Sequence, residues 1–155
     1  VNPKERRSIL VVEDSPEDFQ AMQWACASID IDLIRCENGE QAIEYLHRGG
    51  THADAHPPPG IVLLDLNLPR MNGREVLRSL KTSLHTKSLP VVMLSSSWNP
   101  KEVEACYLEG ANSFLVKPLG LKPLRDLMEC VVGYWFGHVT LASPRSPEKQ
   151  SAASK

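Results

Sequence analysis

The sequence predicts an α/β domain in which five strands alternate with five helices around one parallel sheet. Three observations lead there. Ile9-Leu10-Val11-Val12, Ile61-Val62-Leu63-Leu64 and Val91-Val92-Met93-Leu94 are short apolar runs bounded by polar or turn residues. Such runs mark strands buried on both faces, as in a sheet covered by helices. The stretches between them carry apolar residues at helical spacing, and regular alternation of the two patterns indicates βα units. The 155 residues amount to one domain at about 150 residues per domain.

Taken in order, Ile9–Val12 is the first strand. Ser15, Pro16 and Asp18 supply an N-cap, a first-turn proline and an acidic third position. Phe19, Met22, Cys26 and Ile29 then repeat at helical spacing. Ile31-Asp32-Leu33-Ile34 is broken by polar residues, which suits an edge strand. Asn38-Gly39 opens a second helix carrying Ala42, Ile43 and Leu46. The run Ile61–Leu64 is the third strand. Gly73 precedes a helix with Val76, Leu77 and Leu80. After the strand Val91–Leu94, Asn99-Pro100 starts a helix with Val103, Cys106 and Tyr107 that ends near Gly110. Phe114-Leu115-Val116 is a fifth strand, ended by Lys117-Pro118, and a last helix runs from about Leu121 through Leu124, Leu127, Met128, Val131, Val132 and Trp135. The segment Gly49–Gly60 is a loop rich in Pro, His and Gly. Residues 1–7 form an N-terminal extension, 8–137 the domain, and 138–155 a tail. From Ser143 that tail is too polar to fold by itself and is expected to be disordered.

Composition narrows the function. At 42% hydrophobic and 23% charged residues, the chain is an ordinary globular one rather than a disordered one. With 17 basic against 19 acidic residues, no global positive field points to nucleic acid. Cys26, Cys36, Cys106 and Cys130 form no C-x-x-C pair, so they read as reduced thiols and mostly apolar fillers. No apolar run approaches the roughly 18 residues of a membrane span. The start, charged but without an apolar segment behind it, is no signal peptide. A cytoplasmic protein is expected.

In open α/β sheets, ligands bind beyond the carboxyl ends of the strands. Glu13 and Asp14 follow the first strand, Asp65 the third, Ser95 the fourth and Lys117 the fifth. In a strand order 2-1-3-4-5 all of them meet at one rim. Three carboxylates there repel one another, and an all-oxygen donor set suits Mg²⁺. A strand-end carboxylate can also act as a nucleophile and form an aspartyl phosphate. Charge neutralisation by Mg²⁺, an ammonium and a hydroxyl donor then serves the transferred group. Asp14, Asp65, Lys117 and Ser95 are the right residue types for those roles.

Four stretches carry a family resemblance: Leu10-Val11-Val12-Glu13-Asp14; Leu63-Leu64-Asp65-Leu66-Asn67-Leu68-Pro69 with Met71-Asn72-Gly73; Pro90-Val91-Val92-Met93-Leu94-Ser95; and Val116-Lys117-Pro118. Over about residues 8 to 137 the chain resembles the receiver domain of bacterial two-component response regulators. The resemblance implies a three-layer, doubly wound, flavodoxin-like (βα)5 fold with strand order 2-1-3-4-5. It implies Asp65 as the phosphorylated residue. Glu13, Asp14, Asp65 and the Asn67 carbonyl would hold Mg²⁺. Ser95 and Lys117 would contact the phosphoryl group, and Phe114 would change burial with Ser95. It also implies a cis Lys117–Pro118 bond and a sensor histidine kinase as phosphodonor. The Pro-rich loop and the ending Tyr134-Trp135-Phe136 look like the small regulators that partner phytochrome kinases. Val139-Thr140-Leu141-Ala142 departs from the Leu-Pro expected there.

Plainer roles stand beside these. Glu13 could serve only as a cap, Ser96 could replace Ser95 in the serine run, and Phe114 could be simple core. Tyr134, Trp135 and Phe136 share one helical turn and cannot all face a core. At least one is expected outside, as a dimer or partner surface, unless the tail folds back over it. Residues 143–155 are too few and too polar for an effector, so output is expected through protein contacts, with the downstream relay protein unidentified. The competing readings are a Mg²⁺-dependent aspartyl-phosphate phosphohydrolase and a scaffold that is not phosphorylated. The first lacks an acid two residues after Asp65, where Asn67 stands. An FMN site is disfavoured, because Glu13-Asp14-Ser15-Pro16 is acidic where a phosphate-cradling loop is needed.

Overall fold

The computed structural model describes residues 7–48 and 58–143. Most of the Gly49–Gly60 loop, residues 1–6 and residues 144–155 lie outside them, and with them the expectations made there. The elements are β1 (Ser8–Val12), α1 (Pro16–Ala25), β2 (Asp32–Cys36), α2 (Gly39–Arg48), β3 (Ile61–Asp65), α3 (Gly73–Thr82), β4 (Val91–Ser95), α4 (Pro100–Leu108), β5 (Ser113–Val116) and α5 (Leu121–Gly137). The five strands form one parallel sheet in the order β2-β1-β3-β4-β5.

The sheet divides two cores. On one face Leu10, Val12, Val62, Leu64, Val91 and Met93 pack against Ala42, Val76, Leu77, Leu80 and Cys106 of α2, α3 and α4. On the other, Ile9, Val11, Ile61, Leu63, Val92 and Leu94 pack against α1 and α5. Side chains on a strand alternate between faces, so the four consecutive aliphatic positions of β1, β3 and β4 must all be apolar to fill both cores. All residues of these three strands are buried. Each large aliphatic side chain so buried contributes roughly 1.5–3 kcal/mol. Edge strand β2 is exposed or half-buried except at Cys36, which explains its broken pattern.

The caps locate the helix starts. Ser15 Oγ accepts the Asp18 amide at 3.2 Å, with Pro16 in the first turn of α1. Asn99 caps α4 in the same way, again ahead of a proline. Helix α3 is capped by Asn72 rather than merely announced by Gly73. The Asn72 side chain accepts from the Glu75 amide, and Glu75 answers by accepting the Asn72 amide. Helix α1 ends at Ala25, so Cys26 and Ile29 pack from the turn that follows it.

One expectation changes here. No described peptide bond is cis, so Lys117–Pro118 is trans. The tertiary amide of an X-Pro bond separates the two isomers by only about 0.5–1 kcal/mol, so residue identity alone does not select one. Cys130, unlike the other three thiols, is exposed.

At the far end of α5, Tyr134 is 57% exposed. Trp135 and Phe136 are half-buried against the α1–α5 core, and Leu141 of the returning chain packs there too. Tyr134 meets Trp135 edge-on, 5.2 Å between ring centroids. Trp135, Phe136 and Leu141 thus share one core, and Tyr134 is left outside.

Candidate functional site

The carboxyl ends of β1, β3, β4 and β5 bring the predicted residues to one rim. Glu13 and Asp14 leave β1, Asp65 ends β3, Ser95 ends β4 and Lys117 leaves β5. Lys117 reaches across the rim. Its Nζ donates to Glu13 Oε2 at 2.7 Å, to Asp65 Oδ2 at 2.9 Å and to Asp18 Oδ2 at 3.0 Å. The second oxygen of Asp65 accepts the Asn67 amide at 2.9 Å. The second oxygen of Glu13 accepts the Ser15 amide at 3.1 Å. Both carboxylates are therefore held at each oxygen. Glu13 and Asp65 are buried, whereas Asp14 and Asn67 are exposed.

The turn behind Asp65 is tight. A Cβ on Gly73 would stand 2.3 Å from the Asp65 carbonyl oxygen and 2.7 Å from Leu66 Cα. The Gly73 amide donates to the Leu66 carbonyl at 3.0 Å, and only a residue without a side chain permits that approach.

Ser95 is fully buried, while Ser96 is exposed. The Ser95 hydroxyl accepts the Ser97 amide at 3.3 Å, and its carbonyl accepts the Lys117 amide at 2.7 Å. Phe114 lies half-buried against the α2–α4 core. Its amide donates to the hydroxyl of Tyr107 on α4 at 3.1 Å.

Two contributors were not evident in the sequence. Asp18 was readable only as an acidic residue in a capped first turn, yet it is the third acceptor for Lys117. Arg35, on edge strand β2, donates from Nε to the Glu13 carbonyl at 3.1 Å and from Nη2 to the Asp14 carbonyl at 3.0 Å. It also lies over the Phe19 ring, 5.7 Å from its centroid. A charged side chain one position before the end of β2 was the only available signal, because the contact depends on β2 pairing beside β1 in register Val11↔Arg35.

The electrostatics are unbalanced. Burial pushes the Glu13 carboxyl up to about 7; its bond to Lys117 works the other way, and the neighbouring Asp65 carboxylate reinforces the rise. Burial opposes the charge on Lys117. Its hydrogen bonds to Glu13 and Asp65 outweigh that and hold the ammonium above the ordinary lysine range. One ammonium thus serves more carboxylates than it can neutralise. Ligand oxygens of Glu13, Asp14 and Asp65 lie within 4.8 Å of one another. This hard, all-oxygen, anionic set fits a divalent cation.

Residues 9–129 match the model of the response regulator receiver domain. The chain belongs to the response regulator receiver family. The receiver is 38% identical over 135 residues to the response regulator Rcp1 of Synechocystis, covering 86% of this chain and 91% of that one. The phosphorylated cyanobacterial phytochrome response regulator RcpA superposes with a TM-score of 0.80 at 33% identity, over 89% of this chain and 99% of that one. The Mn²⁺-bound form of Rcp1 gives 0.77 at 37% identity, over 88% and 99%. Receivers of this kind are phosphoacceptors that bind a divalent metal and work with histidine kinases. The observed strand order is that of the flavodoxin-like fold expected from the sequence.

Proposed function

We propose that this receiver takes a phosphoryl group on Asp65 from a sensor histidine kinase and passes the signal on through protein contacts. The observation that carries the proposal is the setting of Asp65. Its carboxylate is buried at the end of a central strand, oriented by the Asn67 amide and paired with the Lys117 ammonium. An Asp65 oxygen forms the new P–O bond as the P–N bond of the donor phosphohistidine breaks, and the bonding pair stays with the imidazole nitrogen. Lys117 neutralises charge on the incoming group, and the Ser95 hydroxyl is the further donor. Glu13, Asp14, Asp65 and the Asn67 carbonyl are the residues that would hold Mg²⁺. When bound, that cation supplies charge neutralisation to the transferred phosphoryl oxygens.

Phosphorylation adds charge at the rim and biases a two-state equilibrium. We assign the response to Ser95, at the end of β4, and Phe114, within the neighbouring strand β5. The relatives named as phytochrome response regulators support a phytochrome-type kinase as the donor, and we assign a cytoplasmic site of action. Tyr134, exposed beside Trp135, is the surface we assign to self-association or partner contact. As a phosphoacceptor the protein is not a turnover enzyme, and Asn67 offers no general acid for ester hydrolysis.

The test is intact mass after treatment with acetyl phosphate and Mg²⁺. Wild type should gain one phosphoryl group and Asp65→Asn none. Folded wild type that gains nothing would favour a scaffold that signals without phosphorylation. Phosphotransfer from a phytochrome kinase, compared with one of unrelated input, tests the donor.

A further inference from the structure

An ammonium has three N–H donors, and Lys117 directs them to three acceptors. Two of those acceptors have other work. Asp65 is the group that takes the phosphoryl, and Glu13 is one of the residues that would hold the cation. The third, Asp18, has neither duty: it lies outside the trio of carboxylates whose oxygens converge for a metal. It also comes from a different element, 99 residues away along the chain from Lys117.

Its placement is firm. Asp18 stands in the first turn of α1, where its amide is fixed by the Ser15 cap and Pro16 restricts the backbone ahead of it. The helix therefore aims the carboxylate at the rim whatever occupies the rest of the site. Lys117 needs such a hold. Its long side chain carries several rotatable bonds and borders the open groove between α1 and the β5–α5 turn. That groove, about 210 Å³, is lined by Ala21, Met22, Gly120 and Leu124, and Asp18 and Lys117 stand in its wall. Without Asp18 the ammonium can swing towards that opening.

We propose that Asp18 is a positioning residue for phosphoryl acceptance: it holds the Lys117 ammonium at Asp65 independently of Glu13 and of the cation. The proposal rests on Asp65 being the acceptor. Asp18 makes no contact with the reacting atoms and acts through Lys117 alone.

The experiment has two readouts on wild type, Asp18→Ala, Asp18→Glu and Glu17→Ala. Glu17 is the other acidic residue of the same helical turn and, among the described residues, hydrogen-bonds the Ser15 hydroxyl at 3.2 Å and does not reach Lys117, so it controls for effects on helix α1. The first readout is the ¹⁵N–¹H signal of the Lys117 ammonium with Mg²⁺ and no phosphodonor. A restrained ammonium gives an observable signal. It should persist in wild type, Asp18→Glu and Glu17→Ala and vanish in Asp18→Ala. The second is the acetyl phosphate labelling rate against Mg²⁺ concentration. Loss of a half-exposed charged hydrogen bond should lower the plateau in Asp18→Ala by about tenfold, without raising the half-saturating Mg²⁺, and Asp18→Glu should recover most of it.

An unchanged ammonium signal in Asp18→Ala overturns the proposal. So does a plateau that stays level or rises, or an equal loss in Glu17→Ala, which would make the effect one of helix α1. If wild type takes no phosphoryl group, the acceptor reading fails, while the ammonium signal still decides whether Asp18 holds Lys117.

Discussion

The receiver carries two clusters of charge that are built in opposite ways. Between α3 and α4, Arg74 grips Glu109 with two parallel bonds, Nε to Oε2 at 3.0 Å and Nη2 to Oε1 at 2.5 Å, and Arg78 stands 3.6 Å away. Cations outnumber the carboxylate there, and both carboxylate oxygens are met. The Arg74 bond holds the Glu109 carboxyl below the usual glutamate range. At the rim the ratio is reversed: Glu13, Asp14, Asp18 and Asp65 surround Lys117, and burial pushes the Glu13 carboxyl up rather than down. The first cluster is closed and serves as a clasp. The second is left short of positive charge, and an unclosed cluster of carboxylates, two of them buried, is a receptor for a cation and for the chemistry that needs one.

The largest expected effect concerns the rim alone. Asp65→Asn should abolish phosphoryl uptake, read by intact mass, while Arg74→Ala leaves it unchanged. Uptake lost in both would erase the distinction between the clusters. Next comes Lys117→Met, which strands Glu13 and Asp65 without their cation. Breaking a buried pair in this way costs about 3 kcal/mol. Urea unfolding without divalent ions should show that loss, and added Mg²⁺ should return part of it. An undiminished stability would mean that the rim carboxylates do not depend on Lys117.

Smaller effects follow from pH. The folded Glu13 carboxyl binds its proton more tightly than the unfolded one, for which 4.5 is the ordinary value. Between there and about 7 the folded state carries more protons, so its stability should fall as pH rises through that window in metal-free protein. Glu13→Gln should flatten the slope, and unfolding free energies at several pH values would show it. Glu109 has the opposite sign. Its lowered value contributes stability above the ordinary range, which is lost as pH falls through the folded value. The smallest effect is Arg74→Ala at neutral pH, about 0.5–1 kcal/mol for a partly exposed pair. It should shrink in acid and ignore Mg²⁺. A Mg²⁺-dependent loss in this variant would tie the clasp to the site.

The elements were readable where one local rule governed them. The apolar runs of β1, β3 and β4 had to be unbroken because two layers of helices cover them. The Ser15-Pro16 and Asn99-Pro100 pairs announced α1 and α4 because cap and first-turn proline are chemical requirements of a helix start. Asn72 was less visible, since its capping box shares a loop with Gly73, whose own role is close approach to Asp65 and Leu66. The site residues stood at strand ends, a position that any βα alternation makes prominent. Asp18 and Arg35 did not, because one looked like helix chemistry and the other like an edge-strand surface residue.

The sequence by itself determined the alternation, the two-faced burial and the set of groups delivered to one rim, because each depends on residues close together in the chain. Only the tertiary structure decided which of those groups share Lys117 and which strand lends Arg35 to the acidic turn. Those outcomes rest on strand order and register, which join residues about 20 to 100 positions apart and have no local signature.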